Sequence, residues 1–184
     1  APITAAETAF RKGLMGTESS IGVQAKRATT SLWKNLVEPA LQRSPNKTQA
    51  VNFFGEAEAK IIKENPELSR QKSLLEALNS IKEDYKGVTE WTDAELQKLK
   101  QGWAQFVPEK TYKGKPIAGA FNEVRNVLSR LARTNIYNSL GTDVKQAYLD
   151  YGNLLGLQEL GQKAMTGGKL KGGFGGRICS VFFV

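Results

Sequence analysis

The sequence predicts an all-α protein: several amphipathic helices in helical hairpins or a bundle, followed by a Gly-rich basic C-terminal tail. Three observations predict it. Apolar residues recur at spacings of 3 and 4 along most of the chain. Ala, Leu, Lys, Glu and Gln, all good helix formers, fill those stretches. Start signals, two of them Thr-x-x-Glu capping boxes, stand just ahead of apolar runs.

Thr4-Ala5-Ala6-Glu7 is the first capping box and opens a short helix through Phe10 to about Leu14, which Gly13 and Gly16 break. Ser19 or Ser20 caps the next helix, whose apolar face is Ile21, Ala25, Ala28, Leu32, Leu36 and Val37. Pro39 should kink that helix or end it near Val37. Ser44-Pro45 reads as a cap followed by Pro at the first helical position, starting a helix with Val51, Phe54, Ala57, Ile61 and Ile62 on one face. Asn65-Pro66 ends it, and the following helix, from near Pro66, carries Leu68, Leu75, Leu78, Ile81 and Tyr85 up to Gly87. Thr92-Asp93-Ala94-Glu95 is the second capping box, with Leu96, Leu99, Trp103 and Phe106 behind it. Residues 107–116 read as a loop with three lysines and mark the expected domain boundary. A long helix then carries Ile117, Phe121, Val124, Leu128, Leu131 and Ala132. Gly141 ends it, and Thr142 or Asp143 caps a last helix bearing Val144, Ala147, Tyr148, Tyr151, Leu154, Leu155 and Leu160. The expected organisation is an N-terminal helical region, 1–106, a C-terminal helical hairpin, 117–166, and a flexible Gly/Lys tail, 167–184, ending in the apolar run Ile178 to Val184. No period defines an internal repeat.

Composition narrows the function classes. A chain of 184 residues is one ordinary domain or two small helical ones. The net charge is +8, divided as +4 over 1–50, −2 over 51–100 and +6 over 101–184, so the two ends favour a polyanion. A lone cysteine, Cys179, cannot build a disulfide framework or a thiolate zinc site. The absence of histidine removes the commonest general base, the commonest metal ligand and the His-activated nucleophiles. No run of 18 apolar residues is present, and no stretch has the form of a signal peptide. The start at Ala1 is expected for a processed product or a piece of a longer chain. No cofactor and no small-molecule substrate is expected.

Four groups of residues invite a chemical reading. The glycines of 167–176 follow a helix and lack the Lys-Ser/Thr and helix that a phosphate-cradling loop requires, so they read as a linker. Glu56, Glu58, Glu64, Glu67 and Glu76 could supply the carboxylate pair of a hydrolase, but they alternate with Lys60, Lys63 and Lys72 as a solvated helix surface does, with Glu56–Lys60 as an i,i+4 pair. Asn122, Asn126, Arg130 and Arg133, with Arg125 and Tyr137 beside them, form a polar and basic stripe on the long helix. Together with Lys169 and Lys171 of the tail, Arg125, Arg130 and Arg133 are the candidate contacts to a nucleic-acid backbone, electrostatic and without sequence reading. Trp33, Trp91, Trp103, Phe53, Phe54 and Tyr148 fall mostly on apolar faces, where core packing accounts for them.

The stretch Gly114 to Gly173 contains "IAGAFNEVRNVLSRLARTNIYNSLG" and "VKQAYLDYGNLLGLQELGQKAMTGG". It resembles helical segments of large structural proteins of tailed bacteriophages, such as internal-core, ejection and tape-measure-like proteins. Tyr148-Leu149-Asp150-Tyr151, Leu154-Leu155, Leu160-Gly161 and Ala164 to Gly168 carry the resemblance, which covers about a third of the chain and transfers no catalytic residue. It implies a non-enzymatic, multi-copy virion protein that packs against other virion proteins, with double-stranded DNA as a second contact. The alternatives are a cytoplasmic, non-sequence-specific nucleic-acid-binding protein and a carboxylate-based lytic enzyme.

Overall fold

The computed structural model describes residues 5–105 and 118–165, and within them the chain is all-α apart from one short ribbon. The elements in order are α1 (Ala5–Arg11), α2 (Glu18–Leu32), a π-helical turn (Trp33–Val37), α3 (Glu38–Arg43), β1 (Lys47–Gln49), α4 (Ala50–Glu64), α5 (Leu68–Glu83), β2 (Glu90–Thr92), α6 (Asp93–Ala104), α7 (Ala118–Ser139) and α8 (Thr142–Met165). They divide into two compact units, one of residues 1–40 with 141–184, the other of residues 41–140. This cut differs from the expected 1–106, 117–166 and 167–184: α7 and α8, expected as one hairpin, belong to different units. The physical reason is the choice of partner. α7 buries its apolar face with α4, α5 and α6, whereas α8 buries its own with α1 and α2. The loop 107–116, the tail from Gly167 and the box residue Thr4 lie outside the described residues.

In the first unit, α1 ends in a Schellman turn. Gly13, at φ 67°, follows the helix, its N–H bonds Phe10 O at 3.0 Å, and Leu14 N–H bonds Ala9 O at 3.0 Å. Thr17, rather than Ser19 or Ser20, caps α2 by accepting from Ser20 N–H. α2 and α8 then pack around Ala9, Leu14, Ile21, Ala25, Leu154 and Leu157. They come so close at Gly22 and Gly161 that a Cβ on Gly22 would lie 2.6 Å from Gly161 Cα. Trp33 and Tyr151 add a tilted ring pair at 5.0 Å.

Pro39 neither ends nor simply kinks the helix. Its ring would collide with the carbonyl four residues back, and it offers no N–H. The π turn just before it absorbs the mismatch: Glu38 N–H reaches Trp33 O, five residues back. The wider turn also rotates Leu36 outward, 49% exposed, and leaves Val37 buried.

In the second unit, Ser44-Pro45 does not start a helix. Residues 47–49 pair antiparallel with 90–92, in the register Lys47↔Thr92, Thr48↔Trp91 and Gln49↔Glu90, and α4 begins only at Ala50. A ribbon this short has no local signal, because its partner lies some forty residues away. Phe53 and Phe54 from α4, Tyr85, Trp91 and Trp103 form one aromatic cluster with ring centroids 5.6–6.3 Å apart. Orienting α4 on this cluster leaves Val51 77% and Ile62 45% exposed, although periodicity places both on its apolar face. The capping box at Thr92 and Glu95 forms as read, with both reciprocal hydrogen bonds present. Gly87, at φ 88°, closes the turn after α5.

Candidate functional site

The stripe on α7 is built from residues with three different fates. Arg125 turns toward α6, where its guanidinium donates to the carbonyl of Gly102 near that helix's C-terminus, as a cation at a helix end does. Its Nε is buried without a partner. Arg133 is half-buried near Lys100, whose ammonium is held below its ordinary value first by burial and then by the charge of Arg133. Arg130 is exposed, as is Asn126. Glu123, on the same helix, accepts from Arg70 at 2.8 Å and brings a negative charge into the region. Lys169 and Lys171 lie outside the described residues. Among the described residues, Arg125, Arg130 and Arg133 are not gathered into one open basic face; Arg125 and Arg133 lie toward α6 instead.

Two buried carboxylates, which sequence reading did not single out as a pair, are the most elaborated polar positions. Asp93, fully buried in the first turn of α6, accepts from Ser44 Oγ at 2.5 Å, Asn46 Nδ2 at 2.9 Å and Ser139 Oγ at 2.6 Å. Ser44 thus serves α6 rather than a helix of its own. Asp150, 2% exposed on α8, accepts from Arg11 Nη2 at 2.5 Å and Gln146 Nε2 at 3.0 Å, with Lys12 Nζ at 3.5 Å. Burial alone would raise its pKa, but the bonds from Arg11 and Gln146 and the charges of Arg11 and Lys12 outweigh that and hold it below the ordinary value. Asp150 is thus surrounded by groups that stabilise its charge, and Asp93 by hydrogen-bond donors. The signal for Asp93 was its place in the capping box; Asp150 gave none.

The carboxylates Glu56, Glu58, Glu64, Glu67 and Glu76 are all exposed. Lys60 lies 3.9 Å from Glu64 rather than forming the expected pair with Glu56. Among the described residues, no group of three or more His, Cys, Asp or Glu is placed to hold a metal ion. No described helix is long and apolar enough to cross a membrane. A cleft of about 390 Å³ opens beside α4 and α5, floored by Phe54, Tyr85 and Val88 and rimmed by Lys82 and Lys86. Lys86 is paired with Glu83 at 3.4 Å, which leaves Lys82 as the excess charge of the rim.

A further basic surface was not visible as such in the sequence. The outer face of α2 and the π turn presents Lys26, Arg27, Thr30, Ser31, Lys34 and Asn35, all exposed. Between Glu18 and Glu38 the chain contains no acidic residue. The sequence signal is that acid-free interval, which a sum of charge over a long block hides by averaging across helix faces. Comparison with protein-family models, with curated proteins and with solved structures finds no match to this chain.

Proposed function

We propose that the chain is a non-enzymatic structural component of a tailed-phage particle, acting by packing against other virion proteins. The observation that carries this reading is the apolar surface. Phe10, Met15, Val23 and Leu36 in one unit, and Val51, Ile62, Leu68 and Val88 in the other, are large apolar side chains between 39% and 78% exposed. Isolated apolar residues are ordinary on a surface, but this number on small helical units suits a protein whose working state is an assembly. The non-enzymatic reading is supported by the use of both buried carboxylates, Asp93 and Asp150, in structural hydrogen bonds. Assignment to a phage particle rests on the resemblance of residues 114–173.

The test is location. Mass spectrometry of gradient-purified particles from the source that encodes the chain should find it at many copies per particle. Light scattering coupled to size exclusion should show assembly beyond a discrete small oligomer. Absence from purified particles overturns the assignment.

A further inference from the structure

We infer that the outer face of α2, carrying Lys26, Arg27 and Lys34, docks on the phosphodiester backbone of duplex DNA. The electropositive face is therefore a different one from the α7 stripe, and the difference is structural. On α7, Arg125 is hydrogen-bonded to Gly102, Arg133 is half-buried, and Glu123 brings in an acid paired to Arg70. On α2, Lys26, Arg27 and Lys34 are exposed, and none of the three is in an ion pair among the described residues. In the same unit Arg11 and Lys12 are occupied by Asp150.

The face has the chemistry of backbone contact. Three cations lie along about 12 Å of helix, at a rise of about 1.5 Å per residue. Between them sit Thr30, Ser31 and Asn35, side chains that reach phosphate and sugar oxygens without selecting a base. Two observations favour DNA over a lipid surface or a single strand. An interfacial membrane helix sinks a broad apolar face into lipid, whereas Ile21 and Ala25 of α2 are already buried on Leu154 and Leu157 of α8, and Val23, 46% exposed, is too little apolar surface to anchor the helix beside its cations. Single strands are gripped by stacking aromatics, and Trp33, the aromatic within the same helical stretch, is paired with Tyr151. Binding here does not depend on the particle assignment: a chain missing from particles could still bind DNA, and a particle protein could fail to.

The experiment is a fluorescence-anisotropy titration of the full chain with a 20-base-pair duplex, in scrambled sequences, from 50 to 300 mM salt. Each phosphate neutralised contributes about −0.9 to the slope of log K against log salt. The triple substitution Lys26→Gln, Arg27→Gln, Lys34→Gln should flatten the slope by about 2.7 and weaken binding at 0.1 M salt on the order of a hundredfold. All scrambled duplexes should be affected alike. A charge-matched control, Lys63→Gln, Lys72→Gln, Lys98→Gln on exposed positions of the other unit, should leave the slope within about 0.5 of the parent. Circular dichroism of both variants should match the parent, since every substituted position is solvent-facing. The proposal is overturned if the full chain does not bind the duplex at 50 mM salt, or if both triple variants lose slope equally. It is also overturned if vesicles of phosphatidylserine and phosphatidylcholine compete as tightly as DNA in an α2-dependent way.

Discussion

Among the described residues each unit buries one carboxylate, Asp150 in the first and Asp93 in the second, and surrounds it by different means. Asp150 sits among cations: Arg11 in a charge-assisted bond and Lys12 nearby. Asp93 has three neutral donors, Ser44, Asn46 and Ser139, and stands in the first turn of α6, where the helix dipole favours an anion. The cores differ in the same spirit. The first unit brings backbones together through Gly22 and Gly161; the second fills its space with five aromatic rings. One unit depends on close approach and long-range charge, the other on volume and short-range hydrogen bonds. Cavity, clash, salt and pH should therefore separate them.

The largest effect is expected from Trp91→Ala, which removes a ring touching Phe53, Phe54, Tyr85 and Trp103. A loss of about 3–5 kcal/mol is expected for an aromatic deleted from a packed core. Denaturant melts should show it in far-ultraviolet dichroism and in Trp103 emission, while Trp33, in the other unit, reports a transition of its own. An unchanged midpoint would mean that the cluster is not the core of that unit.

Next comes Asp93→Ala, expected to cost about 2–3 kcal/mol because it takes the shared acceptor from the half-buried Ser44 and Asn46 and leaves Ser139 with Ile136 O alone. No cation faces Asp93 in its hydrogen-bond set, so the loss should be the same at 50 mM and 500 mM salt. A strong salt dependence would break the contrast with Asp150.

Gly22→Ala places a methyl 2.6 Å from the Gly161 backbone and should cost about 1–3 kcal/mol by forcing α2 and α8 apart. The same change at Gly55 or Gly102, where nothing lies within 4 Å, should be neutral or stabilising. Equal costs at all three positions would remove the close-approach account.

Asp150→Asn should be milder at neutral pH, about 1 kcal/mol, because Arg11 is 41% exposed and water screens the pair. Its folded pKa lies below the ordinary 3.8, so its ionic contribution is complete above that value and disappears as pH falls through the lower folded value. The gap between parent and variant should therefore shrink on acidification below pH ~4, and also with added salt. A gap that widens in acid would reverse the sign of the pairing. Smallest of all is Arg70→Ala, which breaks an exposed pair with Glu123 and should leave the melting midpoint unchanged within error.

Much of the molecule could be read from the sequence, and the misses have physical causes. Helix existence was legible because periodicity and capping are local: the Thr92–Glu95 box, the stop at Asn65-Pro66 and the glycine turns at 13 and 87 all act within a few residues. The all-α class follows from the same local terms. Partner choice was not local. Whether α7 packs with α8 or with α4, α5 and α6 depends on surfaces separated by as much as Ala50 is from Ser139, and no spacing rule encodes it. Single side chains went the same way. Ser44 looked like a cap until Asp93 claimed its hydroxyl, and Arg125 looked like a phosphate ligand until the Gly102 carbonyl claimed its guanidinium.

Charge shows the division most simply. The sequence by itself determined the total, +8, and a helical chain without histidine. Its cationic ends and acidic middle do not survive folding: residues 41–140 hold 16 basic and 12 acidic side chains and the remainder hold 10 and 6, a net +4 in each unit. Only the tertiary structure decided which cations face water, leaving Lys26, Arg27 and Lys34 open and drawing Arg11, Arg125 and Arg133 into contacts. The physical reason is reach. Propensity and capping are settled within a turn or two of helix, whereas the field at a surface is settled by which distant groups folding brings alongside it.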